Sequence, residues 1–201
     1  MRTLLWNIER KAGAMELIVG ISGASGSPLG IEMLKQLRKH GVETHLVVSE
    51  GGRRTIESET GLSIEEVCAL ADHHYDDANL GAAISSGSFV TDGMIVAPCS
   101  MKSVSAIAHA YDANLLVRAA DVCLKESRRV VLLPREMPLN KTHLRNLTLC
   151  ADAGCVIIPP MLTFYNHPTT LEDQVRHVAG KALMQFGLQG SGFRAWEGEG
   201  R

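Results

Sequence analysis

The stretch Glu16-Leu17-Ile18-Val19-Gly20-Ile21-Ser22-Gly23-Ala24-Ser25-Gly26-Ser27-Pro28-Leu29-Gly30 decides the fold. Residues 17–21 form a short continuous apolar run, the pattern of a strand buried on both faces. Small residues follow, and an amphipathic pattern over 29–40 predicts a helix. Strand, glycine-rich turn and helix in that order are the opening unit of a parallel α/β sheet. The small residues let a ligand approach the backbone, and the helix N-terminus favours an anion. The spacing Gly20, Gly23, Gly26 is G-x-x-G-x-x-G, not the G-x-G-x-x-G of dinucleotide sites, and Ser49 stands where an acidic ribose ligand would end the second strand. Both points favour a mononucleotide. The plainer reading is a tight turn that holds no ligand.

Outward from this unit the same alternation continues. Strands are expected at 44–48, 93–97, 130–134 and 155–158. Helices are expected at 53–59, 64–71, 103–110, 115–125, 143–153 and 171–186. This predicts an α/β fold with a three-layer, doubly wound parallel sheet of the Rossmann or flavodoxin-like type. Gly41 and Gly154 follow helices and Thr170 precedes one, as stop and start signals should. Neither a repeat nor a linker is evident, so 15–187 reads as a single domain. Residues 1–14 read as an extension, a loose arm or a segment ahead of a true start at Met15. Residues 188–201 read as a tail that is either irregular or partner-dependent.

Composition narrows the function classes. The 201 residues are 45% hydrophobic and 21% charged with a net charge of -2, which suits a globular protein and gives no basic excess for nucleic acid or an anionic membrane. No apolar run approaches the roughly 20 residues of a membrane span, and residues 1–14 lack a secretory signal. The five cysteines lack C-x-x-C spacing, which points to reduced thiols and a cytoplasmic setting.

Four further segments carry chemistry. Ala97-Pro98-Cys99-Ser100-Met101-Lys102-Ser103 follows a strand at the ligand-binding edge of such a sheet. Ser100 and Ser103 offer hydroxyl donors, and Cys99 reads as a packing residue since no base is evident beside it. In Arg118-Ala119-Ala120-Asp121-Val122-Cys123-Leu124-Lys125 the two cations lie two helical turns apart on one face, fit for a phosphate or merely solvated. Pro134-Arg135-Glu136-Met137-Pro138 presents an Arg-Glu pair that either works on a ligand or orders a loop. Phe164-Tyr165-Asn166-His167-Pro168 offers a tyrosine for packing or for contact. The run Asp72-His73-His74-Tyr75-Asp76-Asp77 has metal-ligand residue types at no standard spacing and reads as a solvated interhelix loop.

Together these five segments resemble the UbiX-like flavin prenyltransferases over about 15–187. The resemblance implies an FMN-binding α/β fold that assembles as a homo-oligomer, usually a dodecamer, with sites at subunit interfaces. It implies transfer of a dimethylallyl group from dimethylallyl phosphate to N5 and C6 of reduced FMN, without a metal. The prenylated FMN would then pass to a partner UbiD-like decarboxylase. By motif position, Gly23, Ala24, Ser25, Ser49, Ser100, Met101, Lys102, Ser103 and Arg135 would bind the flavin. Arg118, Lys125, Tyr165, Lys181 and Trp196 would hold the prenyl phosphate. Glu136, with Ser25 and Glu59, would supply the catalytic groups, Glu136 moving the proton. Lys181 departs from the arginine common in the family, and Arg145 from a glutamate. Two other expectations compete: an FMN-dependent cysteine decarboxylase of the phosphopantothenoylcysteine type, and a flavin carrier without catalysis.

Overall fold

The structure is a computed structural model and describes residues 15–196 and 198. The predicted extension 1–14 therefore lies outside the described residues. Six parallel strands form one sheet: β1 (Glu16–Ile21), β2 (Glu43–Val48), β3 (His73–Asp76), β4 (Gly93–Cys99), β5 (Arg129–Pro134) and β6 (Cys155–Ile157). Their spatial order is β3-β2-β1-β4-β5-β6, so the winding reverses between β1 and β4. Among the described residues seven α-helices flank them: α1 (Ser27–Lys39), α2 (Glu50–Thr60), α3 (Ile64–Cys68), α4 (Met101–Ala108), α5 (Leu115–Lys125), α6 (Lys141–Asp152) and, after the last strand, α7 (Leu171–Leu183).

Alternate residues of the central strands feed two cores, one on each face of the sheet. Leu17, Val19 and Ile21 pack with Leu34 and Leu37 of α1 and Ala182 of α7. Ile18, Met94 and Val96 pack with Leu116 and Ala120 of α5 and Cys150 of α6. A strand covered on both faces cannot alternate apolar with polar residues, which is why β1, β4 and β5 read as continuous apolar runs.

Strand β3 corrects the expectation of a solvated loop at 72–77. It pairs with β2 in register from His45 opposite His73 to Val48 opposite Asp76. It is an edge strand, and only Tyr75 is half-buried, so its sequence shows no apolar pattern. Edge strands keep polar side chains because one side stays open to solvent. His73 sits 2.8 Å from Glu43 and stacks on buried His45, with ring centroids 4.8 Å apart and planes 13° apart. Glu43, His45 and His73 each bring one donor atom within 4.8 Å of the others.

Several helices begin earlier than periodicity suggested, because their first turns are polar or small. Ser49, Ser100, Asn114, Asn140 and Thr170 each accept a backbone N–H of the first turn as N-caps. The tail follows one of its two expectations. Its backbone is irregular, but Gly190 lies directly on Gly180 of α7, and Ser191 N–H donates to Gln36 Oε1 of α1 over 2.9 Å.

Candidate active site

A cleft of about 960 Å³ opens at the carboxyl ends of the strands, where the sheet order reverses. Ligands of such sheets sit at this point because two neighbouring loops diverge there. Gly23 and Ser49 line it, with Ser100, Met101, Lys102 and Ser103, and exposed Glu136 completes its wall.

The lining is built by close backbone contact. A Cβ on Gly23 would lie 2.8 Å from Gly51 Cα, so the loop after β1 and the first turn of α2 touch backbone to backbone. Ser22 is fully buried; its hydroxyl donates to Pro98 O over 3.0 Å and accepts Ser100 N–H over 2.7 Å. One side chain thus ties the loop after β1 to the loop after β4. The Ser100 and Ser103 hydroxyls lie 3.1 Å apart, and Ser100 Oγ caps α4. The first turns of α2 and α4 both contribute lining residues. Helix first turns suit an anion, and the serine hydroxyls suit an acceptor-rich ring. The donors and the room fit FMN.

The first turn of α1 is different, and corrects the expectation of an anion site there. Glu59 reaches from α2 and accepts Gly26 N–H at 3.0 Å, Ser27 N–H at 2.9 Å and the Ser27 hydroxyl at 2.7 Å. Partial burial draws its pKa upward. Hydrogen bonds from the Ser27 hydroxyl, Gly26 N–H, the Ser25 hydroxyl and Ser27 N–H outweigh that, so the carboxyl sits below its ordinary range. The carboxylate fills the place an external anion would take. Ser25 is exposed beside it, and Ala24 is half-buried. Arg135 is held through its backbone, N–H to Cys99 O at 3.1 Å, with an exposed side chain. Cys99 itself is fully buried, and burial, then nearby Cys150, pushes its thiol far up, consistent with a packing role.

A second groove, of about 850 Å³, is lined by Tyr165, Phe193 and Trp196. Tyr165 meets Trp196 edge-on with centroids 5.8 Å apart, and Lys181 Nζ lies 5.8 Å from the Phe193 centroid. The structure therefore brings Tyr165 and Trp196 together in the groove, with Lys181 set against the Phe193 ring that lines it. It does not bring Arg118 and Lys125 there. Arg118 Nη1 contacts Asp112 at 2.9 Å and Asp121 at 3.0 Å, and its Nε donates to Ser85 O; Lys125 pairs with Glu126.

The Flavoprotein family model matches residues 6–181. A probable UbiX-like flavin prenyltransferase of Sedimentibacter hydroxybenzoicus is 62% identical over 92% of this chain and 98% of its own. The chain belongs to the UbiX-like flavin prenyltransferase family. A solved dodecameric FMN-dependent UbiX-like decarboxylase from Escherichia coli O157:H7 is 52% identical, with a TM-score of 0.90, covering 92% of this chain and 100% of that one. AnUbiX, solved with FMN and dimethylallyl pyrophosphate, is 44% identical with a TM-score of 0.91, covering 92% and 99%. The doubly wound flavoprotein fold expected from the sequence is the fold of these UbiX structures.

Within the UbiX frame, two residues escaped the sequence reading. Ser22 was read only as part of the glycine-rich loop, because its partners lie 76 positions away. His177 carries no motif, yet it is buried against Tyr165. Its position, four residues before Lys181 on α7, was the available signal.

Proposed function

We propose that the chain is a flavin prenyltransferase that joins a dimethylallyl group from dimethylallyl phosphate to N5 and C6 of reduced FMN. The observation that carries this reading is one cleft holding a donor-rich flavin cradle and the Glu136 carboxylate together. The reaction breaks the allylic C–O bond, and the phosphate leaves with the bonding electrons. N5 takes the prenyl C1 and gives up its proton; the prenyl double bond then accepts a proton at C2 as C3 bonds to flavin C6, and C6 gives up its own proton in turn.

Each demand has a group suited to it. Negative charge growing on the phosphate calls for fixed cations, and Lys181, Arg118 and Lys125 supply them. Positive charge on the prenyl fragment is eased by aromatic faces, here Tyr165 and Trp196. Glu136 accepts the C6 proton. Gly23, Ala24, Ser25, Ser49, Arg135 and the loop 100–103 hold the flavin, and Glu59 fixes the loop that carries Ser25.

Arg118 and Lys125 reach the phosphate from a neighbouring copy in a homo-oligomer. Exposed apolar side chains support such assembly: Met137 is 84% exposed, Phe164 76% and Leu171 71%. A dodecamer is the expected state, and a UbiD-like decarboxylase the expected recipient of prenylated FMN. Among the described residues no helix is long and apolar enough to cross a membrane; a cytoplasmic setting accords with the free thiols. The cysteine decarboxylase and carrier readings are not favoured.

Mass spectrometry of the flavin tests this. After anaerobic incubation with reduced FMN and dimethylallyl monophosphate, the flavin gains one five-carbon unit. Unmodified flavin with both the monophosphate and the diphosphate would sink the proposal.

A further inference from the structure

His177 sits on α7 with 4% of its surface exposed. Its ring stacks on Phe193, with centroids 4.9 Å and planes 21° apart, and meets Tyr165 edge-on at 5.7 Å. Nε2 lies 3.2 Å from the Tyr165 hydroxyl. Nδ1 is buried without a hydrogen-bond partner. Burying an imidazole among aromatic rings costs free energy that a hydrocarbon ring would not. The Tyr165 contact offsets that cost.

The orphaned nitrogen decides the direction of that bond. Burial, then the nearby Lys181 charge, lowers the His177 pKa, so the ring is neutral. A neutral imidazole carries one N–H and one bare nitrogen. A proton on Nδ1 would leave a buried N–H without an acceptor, which folded proteins tolerate less than an unused acceptor. The proton therefore belongs on Nε2, and Nε2–H donates to Tyr165 Oη. Having accepted that bond, the hydroxyl must turn its own proton away from His177. Tyr165 lines the open groove and is 39% exposed, and Lys181 is exposed one helical turn from His177.

We propose that His177 is a positioning residue: its Nε2–H sets the Tyr165 hydroxyl as an outward donor to the anionic oxygens of the prenyl phosphate, beside the Lys181 ammonium. This rests on the prenyltransferase reading and on Tyr165 as a phosphate contact. His177 does not touch the substrate. It acts by removing the inward orientation of a hydroxyl that would otherwise rotate freely, so the donor is already aimed when the phosphate arrives.

The test measures KM for dimethylallyl monophosphate, kcat and FMN affinity in the wild type, Tyr165→Phe, His177→Phe, the double variant and His177→Gln. Phenylalanine keeps the stack on Phe193 and removes the N–H; glutamine restores an amide donor. Each phenylalanine variant should raise KM about tenfold, the scale of one hydrogen bond to a charged group, with FMN affinity unchanged. The double variant should be no worse than either single one, and His177→Gln should recover most of the loss. A wild-type KM in His177→Phe, losses that multiply to about a hundredfold in the double variant, or a KM rise that glutamine does not rescue would each overturn the proposal. Failure of the underlying readings is separable. A wild type that never modifies the flavin removes the prenyltransferase reading. A wild type that turns over while Tyr165→Phe keeps its KM removes the tyrosine contact, and this inference with it.

Discussion

Glu59 and Glu136 are both carboxylates of the loop-bearing edge, and their surroundings separate them. Glu59 is bound by the first turn of α1, whereas Glu136 is exposed and accepts the Met137 N–H at 2.9 Å. A carboxylate that spends its lone pairs on the fold is a poor proton acceptor; one that faces the cleft is free to work. Glu136→Gln should bind FMN normally and slow prenylation by about 10²–10⁴, the usual contribution of a general base; normal turnover would remove the assignment. Glu59 should show itself through stability. Its folded pKa lies below the ordinary 4.5, so its contribution is present above that value and is lost as pH falls through the folded pKa. Urea titrations at pH 7 and pH 4 should show Glu59→Gln destabilised at pH 7 and the difference shrinking at pH 4. The sequence made Glu136 legible because its partners in the motif are its neighbours. It could not reveal what Glu59 does, since Gly26 and Ser27 lie more than 30 positions away.

Elements divide along similar lines. The strands β1, β4 and β5 announced themselves by apolar runs, since both faces are covered. Strand β3 did not, because an edge strand of His, His, Tyr and Asp is held by backbone pairing to β2 and has little apolar surface to bury. Helix starts were blurred where caps and small residues precede the periodic part, as with Glu50, Gly51 and Gly52 of α2. Those glycines serve contact rather than helix propensity. A Cβ on Gly51 would lie 2.9 Å from Gly23 Cα, so Gly51→Val must part α2 from the loop after β1. The expected result is native-like circular dichroism with FMN affinity, read by flavin fluorescence titration, reduced at least about tenfold. Unchanged affinity would mean that this contact does not shape the cradle.

At the scale of the molecule, the expected phosphate ligands fall into separate places. Tyr165 and Trp196 share a groove with Lys181 against its Phe193 wall, while Arg118 and Lys125 are paired with acids along α5. A site completed by a second copy reconciles the two, and it predicts complementation in trans. Arg118→Ala and Glu136→Gln should each be nearly inactive as pure oligomers. Oligomers refolded from a mixture should regain part of the wild-type rate, because some interfaces then combine two intact halves. No recovery despite verified subunit exchange would place all these groups within one chain. Inside that chain, the Ser22 hydroxyl has a consequence for redesign. Because it bonds to both Pro98 and Ser100, the two loops flanking the reversal point constitute a single transplantable unit. A library that diversifies the glycine-rich segment alone would be sampling half of a hinged pair, whereas exchanging both segments together from another flavoprotein would carry the latch along with them.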